Sequence, residues 1–446
     1  MRLAIPELAL VLLVGPSGAG KSTFSRKHFR PTEILSSDFF RAIVCDDETN
    51  QSAGRDAFDV LHLVASKRLG RGRLTVIDAT NVQTEARRPL IAMARRFHVQ
   101  SAAIVFDLPE SDFLAHNRMR PGRQVEPHII QHQMRQMQSA INRLPEEGFS
   151  VIHTLRTVDE VNQAFLVRER LPVNRRHDFG PFDIIGDIHG CLDELRQLLE
   201  KLGYAPHETT DDDGRPVWAV TPPTDRKLIF LGDLVDRGPD SVGVLRLVMR
   251  AVREGAALCV AGNHDHKLLR ALRGRVSNFS HGLAETLEQV RGEPDGFIER
   301  IDLFLADLPS HLMLDRGRLV VAHAGLKQGL QGRVSDRVRD FALYGETTGD
   351  MDESGLPVRI NWAAGYRGRA AVIYGHTPVV TPTWQNETLC IDTGCVYGGS
   401  LTALRYPERE LVDVPAAKMY KPPKRAFADG IPGVLPPPPD ADHPHD

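Results

Sequence analysis

The chain has 446 residues, with 55 Lys and Arg against 58 Asp and Glu and a net charge of −3. That length accommodates about two to three domains, each able to bury a core of its own, and the near-neutral balance excludes a partner held by overall charge alone. Five scattered cysteines, Cys45, Cys191, Cys259, Cys390 and Cys395, follow no metal or redox spacing and are expected to be reduced thiols of a cytoplasmic protein.

The apolar run 8–14 resembles a signal-peptide core, but it is too short to span a membrane and runs directly into a glycine loop. It is therefore a predicted buried strand. Further strands are predicted over 74–77 and 102–106, alternating with helical stretches 56–69 and 128–144, which implies an α/β layer with a parallel sheet flanked by helices. The loop Gly15-Pro16-Ser17-Gly18-Ala19-Gly20-Lys21-Ser22, followed by Thr23, has the spacing of a phosphate-binding loop and stands between strand and helix, as such a loop must. There Gly15, Gly18 and Gly20 let backbone N–H groups face phosphate oxygens, Lys21 bridges the outer phosphates of ATP or another nucleoside triphosphate, and Ser22 takes Mg²⁺.

After that loop, 34–37 is a predicted strand ending at Asp38, with Arg41 beyond it. A carboxylate there can accept the proton of an attacking hydroxyl, and Arg41 can hold an acceptor phosphate; a helix-capping aspartate beside a surface arginine is the plainer alternative. The stretch Asp78-Ala79-Thr80-Asn81 either orients the Mg²⁺ shell or the acceptor, or caps the next helix. Arg118, Arg120 and Arg123, interrupted by Pro121 and Gly122, form either a lid over transferring phosphates or a solvated basic turn.

The Arg-rich, non-periodic stretch 168–180 is the predicted boundary, giving units 1–172 and 181–405 and a Pro-rich, mobile tail 406–446. The second unit carries six short blocks at strand ends: Gly186-Asp187-Ile188-His189-Gly190, Gly232-Asp233-Leu234-Val235-Asp236-Arg237-Gly238, Gly262-Asn263-His264-Asp265, His323-Ala324-Gly325, Gly375-His376-Thr377 and Asp392-Thr393-Gly394. Carboxylates, amides and imidazoles gathered from distant segments suit a pair of divalent cations that clamps a phosphate ester.

These blocks resemble the calcineurin-like metallophosphoesterases, an α/β sandwich fold, and are most similar to the phosphoprotein phosphatase and diadenosine-tetraphosphatase branch. The resemblance implies that Asp187 and His189 hold one metal, Asp233 bridges, and Asn263, His323 and His376 hold the other. It makes His264 the general acid, oriented by Asp236, with Arg237 on the substrate phosphate. Asp392 then orients a ligand histidine or the substrate, a capping turn being the alternative.

The pairing of a P-loop kinase-like unit with such a phosphatase resembles bacterial polynucleotide kinase-phosphatase, over residues 1 to about 405. That family phosphorylates 5′-hydroxyl ends and removes 3′-phosphate or 2′,3′-cyclic phosphate, which implies RNA rather than DNA ends as partners, no membrane, and Mn²⁺ in the phosphatase site. Homo-oligomerisation is compatible with it. His116 stands where the family's lid carries a further arginine, and the ligase-like domain of its best-known members has no counterpart here, so sealing would need a separate ligase. The alternative is a protein or dinucleoside-polyphosphate phosphatase whose P-loop unit only senses nucleotide; a non-catalytic switch is a third reading, disfavoured because structural metals need no general acid.

Overall fold

In the computed structural model, which describes residues 1–119, 125–211 and 213–429, the chain divides into two units. One is Met1–Leu171 with Arg333–Ser335, and the other is Pro172–Gly332 with the described residues from Asp336 onward.

The first unit contains strands β1 (Arg2–Pro6), β2 (Ala9–Val14), β3 (Ile34–Ser36), β4 (Thr75–Asp78), β5 (Gln100–Phe106), β6 (Val151–Leu155) and β7 (Phe165–Glu169). Five of them form a sheet in the order β3-β4-β2-β5-β6 with every pairing parallel, while β1 and β7 pair separately. Both faces of this sheet are covered, so β2 is apolar throughout: Leu10, Leu12 and Val14 pack into one core, Ala9, Val11 and Leu13 into the other. The helix Gly54–Gly70 buries Ala57, Leu61, Ala65 and Leu69, a four-residue spacing that keeps one face on the sheet. The predicted helix 128–144 instead ends at Ile141, and a separate turn, Leu144–Glu147, follows with Pro145 in its first positions. Because β2, β3 and β4 run in parallel, the loop after β2, Asp38 after β3 and Asp78 at the end of β4 share the carboxyl edge of the sheet, where α/β folds bind ligands.

The second unit holds β8 (Phe182–Ile185), the hairpin β9 (Ala205–Thr210) and β10 (Pro216–Thr221), β11 (Lys227–Phe230), β12 (Ala257–Cys259), β13 (His311–Leu314), β14 (Leu319–Ala322), the hairpin β15 (Thr347–Met351) and β16 (Pro357–Arg359), β17 (Ala371–Tyr374), β18 (Thr388–Cys390), β19 (Asp392–Thr393), β20 (Ser400–Tyr406) and β21 (Glu410–Pro415). Two sheets result: β12-β11-β8-β20-β19, with β21 on β20, and β13-β14-β17-β18. Alternate residues of each face the other sheet, Phe182, Ile184 and Ile229 meeting Leu319, Val321, Ala371 and Ile373. The outer residues Ile185, Leu228 and Phe230 pack against helices on one side, and Val320, Ala322, Val372 and Tyr374 against another cluster on the other. This is a mixed α/β sandwich with the metal-type motifs at its strand ends.

The predicted domain end at 405 and mobile tail from 406 need correction. β20 runs to Tyr406 and hairpins into β21, whose Val414 is buried. Beyond it Ala416 N–H donates to Gly399 O, Tyr420 N–H to Val396 O, and Ala428 bridges to Val379. Pro422 and Pro423, whose composition suggests a mobile tail, lie close behind this packed stretch, because composition carries no trace of the backbone bonds that hold it. Residues 430–446 lie outside the described residues. Among the described residues no helix is long and apolar enough to cross a membrane.

Candidate functional site

In the first unit the loop after β2 turns on Gly18, whose φ is +84° and whose missing Cβ would lie 2.7 Å from Phe113 O, so no larger residue fits. Gly20, at φ +79°, starts the helix Lys21–His28, and no side chain caps it, which leaves the helix N-terminus facing an anion position. Lys21 is buried and curls over the loop, its Nζ donating to Gly15 O and Pro16 O at 2.8 Å each. Thr23 is exposed in the helix's first turn.

Asp78 accepts hydrogen bonds from the hydroxyls of Ser22 and Ser25; burial raises its pKa, Lys21 opposes that, and the nearby Asp38 adds to it. Asp38 is not the helix cap: Ser36 caps the helix Ser37–Cys45 by accepting from Phe39 N–H. Arg41 forks onto Asp38 Oδ1 at 3.0 and 2.5 Å, so here the arginine predicted for an acceptor phosphate orients the carboxylate. Asn81 does not cap the next helix, which starts after Gln83; its Nδ2 donates to Leu13 O at 2.8 Å and ties β2 to the turn after β4. Arg118 and His116 sit in the helix Glu110–Arg118, whereas Arg120 and Arg123 lie outside the described residues.

The second unit brings Asp187, His189, Asp233, Asn263, His264, His323, His376 and Asp392 together. His189 donates from Nδ1 to Val235 O at 2.9 Å and His323 from Nδ1 to Leu231 O at 3.0 Å, which leaves both Nε2 lone pairs facing inward. Asp233 Oδ2 lies between them, 3.5 Å from His189 Nε2 and 3.4 Å from His323 Nε2. His323 Nε2 also stands 2.9 Å from Asn263 Oδ1 and 3.0 Å from His376 Nδ1. Lone pairs directed at one another in this way repel unless a cation lies among them.

Two buried polar atoms with no hydrogen-bond partner, Asp187 Oδ1 and His376 Nε2, line the same place. Burial, then neighbouring Asp392 and Asp233, hold the Asp187 carboxyl well above the usual range, and burial pushes Asp233 and Asp392 up to about 7. Burial also holds His189, His264 and His376 well below 6.5, and His323 down to about 3, so the imidazoles are neutral donors of lone pairs. Three buried carboxylates, with Arg237 as their shared cationic neighbour and neutral imidazoles beside them, fit divalent cations.

Beside this group His264 Nδ1 meets Asp236 Oδ2 at 2.6 Å, and Asp236 Oδ1 accepts from Thr286 Oγ1 at 2.7 Å. Arg237 donates from Nη1 to His189 Nε2 at 2.6 Å and from Nη2 to His264 Nε2 at 2.8 Å. His189, Asp233, Asp236, Arg237 and His376 all have φ between +46° and +74°, a conformation that costs non-glycine residues energy and concentrates at working sites. Gly375 keeps the approach open, since a Cβ there would collide with Asp187 Oδ1.

For Asp392 the capping-turn alternative holds, its Oδ1 accepting from Gly394 N–H at 3.0 Å, and its side chain is also hydrogen-bonded to Asp187 rather than to a histidine. Asp265 accepts from Leu234 N–H and Gly262 N–H at 2.9 and 3.0 Å, tying the second block to the third. Sequence reasoning missed Thr286, Tyr397, whose ring lies 5.5 Å from the Arg237 guanidinium, and Arg359, which lines a small cavity with His376. None stands in a strand-end block, so no spacing marked them.

A family model described as AAA domain matches residues 10–144, and one described as calcineurin-like phosphoesterase matches residues 180–380. The chain is 46% identical over 251 residues to the bis(5′-nucleosyl)-tetraphosphatase PrpE of Geobacillus thermodenitrificans, covering 55% of this chain and 99% of that one. With the same-named protein of Bacillus subtilis it shares 45% identity over 243 residues, covering 54% and 96%. A solved structure described as a putative diadenosine tetraphosphatase is 29% identical with a TM-score of 0.40, covering 55% of this chain and 97% of that one. On relatives matched over nearly their whole length, together with this site, the chain belongs to the calcineurin-like phosphoesterases, carrying that domain behind an AAA-type domain.

Proposed function

We propose that this phosphoesterase is a nucleic-acid end-healing enzyme: its first unit transfers the γ-phosphate of ATP to a 5′-hydroxyl, and its second removes a 3′-phosphate or 2′,3′-cyclic phosphate. RNA is the favoured substrate, Mg²⁺ accompanies ATP, and Mn²⁺ is the favoured phosphatase metal. The observation that carries the reading is the Asp38–Arg41 pair beside Asp78 and the phosphate loop. A unit that only sensed nucleotide would need no carboxylate held by an arginine near the phosphate loop; Asp38 can take the proton of an attacking hydroxyl while Lys21 turns from Gly15 O and Pro16 O to phosphate.

In the second unit two divalent cations, when bound, supply Lewis acidity at the phosphoryl oxygens and activate water. Asp187, His189, Asp233, Asn263, His323 and His376 would hold them. Arg237 leaves His189 and His264 to grip the substrate phosphate, which uncovers His264 Nε2. His264, held by Asp236 through Nδ1, then takes up a proton from solvent at the uncovered Nε2, favoured by the anionic phosphate that has replaced the guanidinium beside it, and passes that proton to the leaving oxygen.

A second reading is hydrolysis of dinucleoside polyphosphates, supported by the 45–46% identity to proteins of that name over the second unit. Those relatives match 54–55% of the chain and give the first unit no role. Labelled phosphate transfer from ATP to 5′-hydroxyl RNA separates the readings, since only end healing requires it.

A further inference from the structure

Cys191, Glu194 and Cys395 meet in the second unit with one ligand atom each inside a 4.8 Å span, and all three are buried. Cys191 follows the first metal-type block, Glu194 is in the first turn of the helix Leu192–Lys201, and Cys395 follows Gly394. Their separation in sequence explains why cysteine spacing gave no sign of a site. Cys191 and Cys395 are within hydrogen-bonding reach of each other.

The carboxylate is arranged asymmetrically. Glu194 Oε1 accepts from Ala417 N–H at 2.9 Å and Tyr420 O–H at 2.7 Å, while Oε2 is buried and has no hydrogen-bond partner. An uncompensated carboxylate oxygen beside two thiols is costly, whereas two thiolates and one carboxylate suit a zinc-class cation. Donors on Oε1 fix the carboxylate as outer-shell groups fix metal ligands.

We propose that Cys191, Cys395 and Glu194 Oε2 form a third, structural metal site for a soft divalent cation such as Zn²⁺, separate from the phosphatase pair. Binding releases the two thiol protons and leaves one position for water. The cation would join the block carrying His189, the turn after Asp392 and the segment 416–420.

Co²⁺ titration of the chelator-stripped, reduced full-length protein tests this, because thiolate ligation gives a near-ultraviolet charge-transfer band that His, Asp and Asn ligands do not. The band is expected in the native protein, retained in Cys390→Ser, and lost in Cys191→Ser or Cys395→Ser with one equivalent less Co²⁺ bound. Glu194→Gln should weaken the Co²⁺ affinity behind the band about tenfold or more. Absence of the band in the native protein, or its survival in both Cys191→Ser and Cys395→Ser, overturns the proposal whether or not the variants fold well.

Discussion

His264 Nδ1 lies 2.6 Å from Asp236 Oδ2, and both groups are buried. The contact fixes the ring so that its other nitrogen, now covered by Arg237, points toward the cluster of Asp233 and His189. A general acid needs this kind of orientation, because the proton must be delivered along one line to the leaving oxygen.

Asp236→Asn is therefore expected to lower turnover of alkyl phosphate esters by about 10²–10⁴-fold. Nitrophenyl phosphate, whose leaving group departs without a proton, should lose far less. Equal losses on both substrates, measured side by side at saturating metal, would count against His264 as the acid.

The two sites belong to separate units with separate cores, so their chemistries should separate by mutation. Lys21→Ala should abolish ATP-dependent transfer and leave phosphatase turnover within about twofold, since the contacts it removes, to the loop carbonyls and to phosphate, all lie in the first unit. Asp187→Ala should do the reverse. Loss of both activities from either variant would contradict independent sites.

Metal binding should weaken as pH falls. The Asp233 and Asp392 carboxyls sit at about 7 in the metal-free protein, pushed there chiefly by burial, and the proton must leave before a cation enters. Their folded values lie above the ordinary carboxylate value, so stability contributed by the protonated forms is full below about pH 4 and is lost as pH rises through about 7. The chelated protein should accordingly lose melting temperature between about pH 4 and about pH 7, and added Mn²⁺ should restore most at the upper end. A Mn²⁺ stabilisation that is flat or shrinks with rising pH would refute this.

Asp183, fully buried in β8, accepts from Tyr204 O–H at 2.8 Å and from Arg226 at 2.9 and 2.7 Å. Replacing it with Ala strands a guanidinium and a hydroxyl, so Asp183→Ala is expected to cost about 3–5 kcal/mol in denaturant unfolding. A cost under about 1 kcal/mol would mean that the pair is solvated.

What the sequence disclosed and what it withheld divide along physical lines. The strand-to-helix loop at Gly15–Ser22 and the blocks holding Asp187, Asp233, Asn263, His323 and His376 were legible because each couples a fixed spacing to an apolar strand before it. Arg41 was predicted for an acceptor phosphate, yet its fork to Asp38 depends on rotamers and helical phase that no spacing encodes. Asp392 was expected to orient a histidine or the substrate, or to cap a turn; it caps the turn through Gly394 N–H and also meets Asp187, because Ile391 lies against Gly186 only in the folded chain. Thr286, Tyr397, Arg359 and the Cys191–Cys395 pair come from helices, turns or the short strand β16, none of which carries a motif, and packing alone brings them together.

The measurement that bears most directly on end healing is intact-mass analysis of RNA oligonucleotides carrying a 5′-hydroxyl or a 3′-phosphate, incubated with the protein, Mg²⁺ and Mn²⁺, with and without ATP, alongside diadenosine tetraphosphate. The account expects a phosphate gained at the 5′ end only with ATP and one lost at the 3′ end without it. Cleavage of diadenosine tetraphosphate with no 5′ transfer would contradict it and leave a dinucleoside-polyphosphate hydrolase.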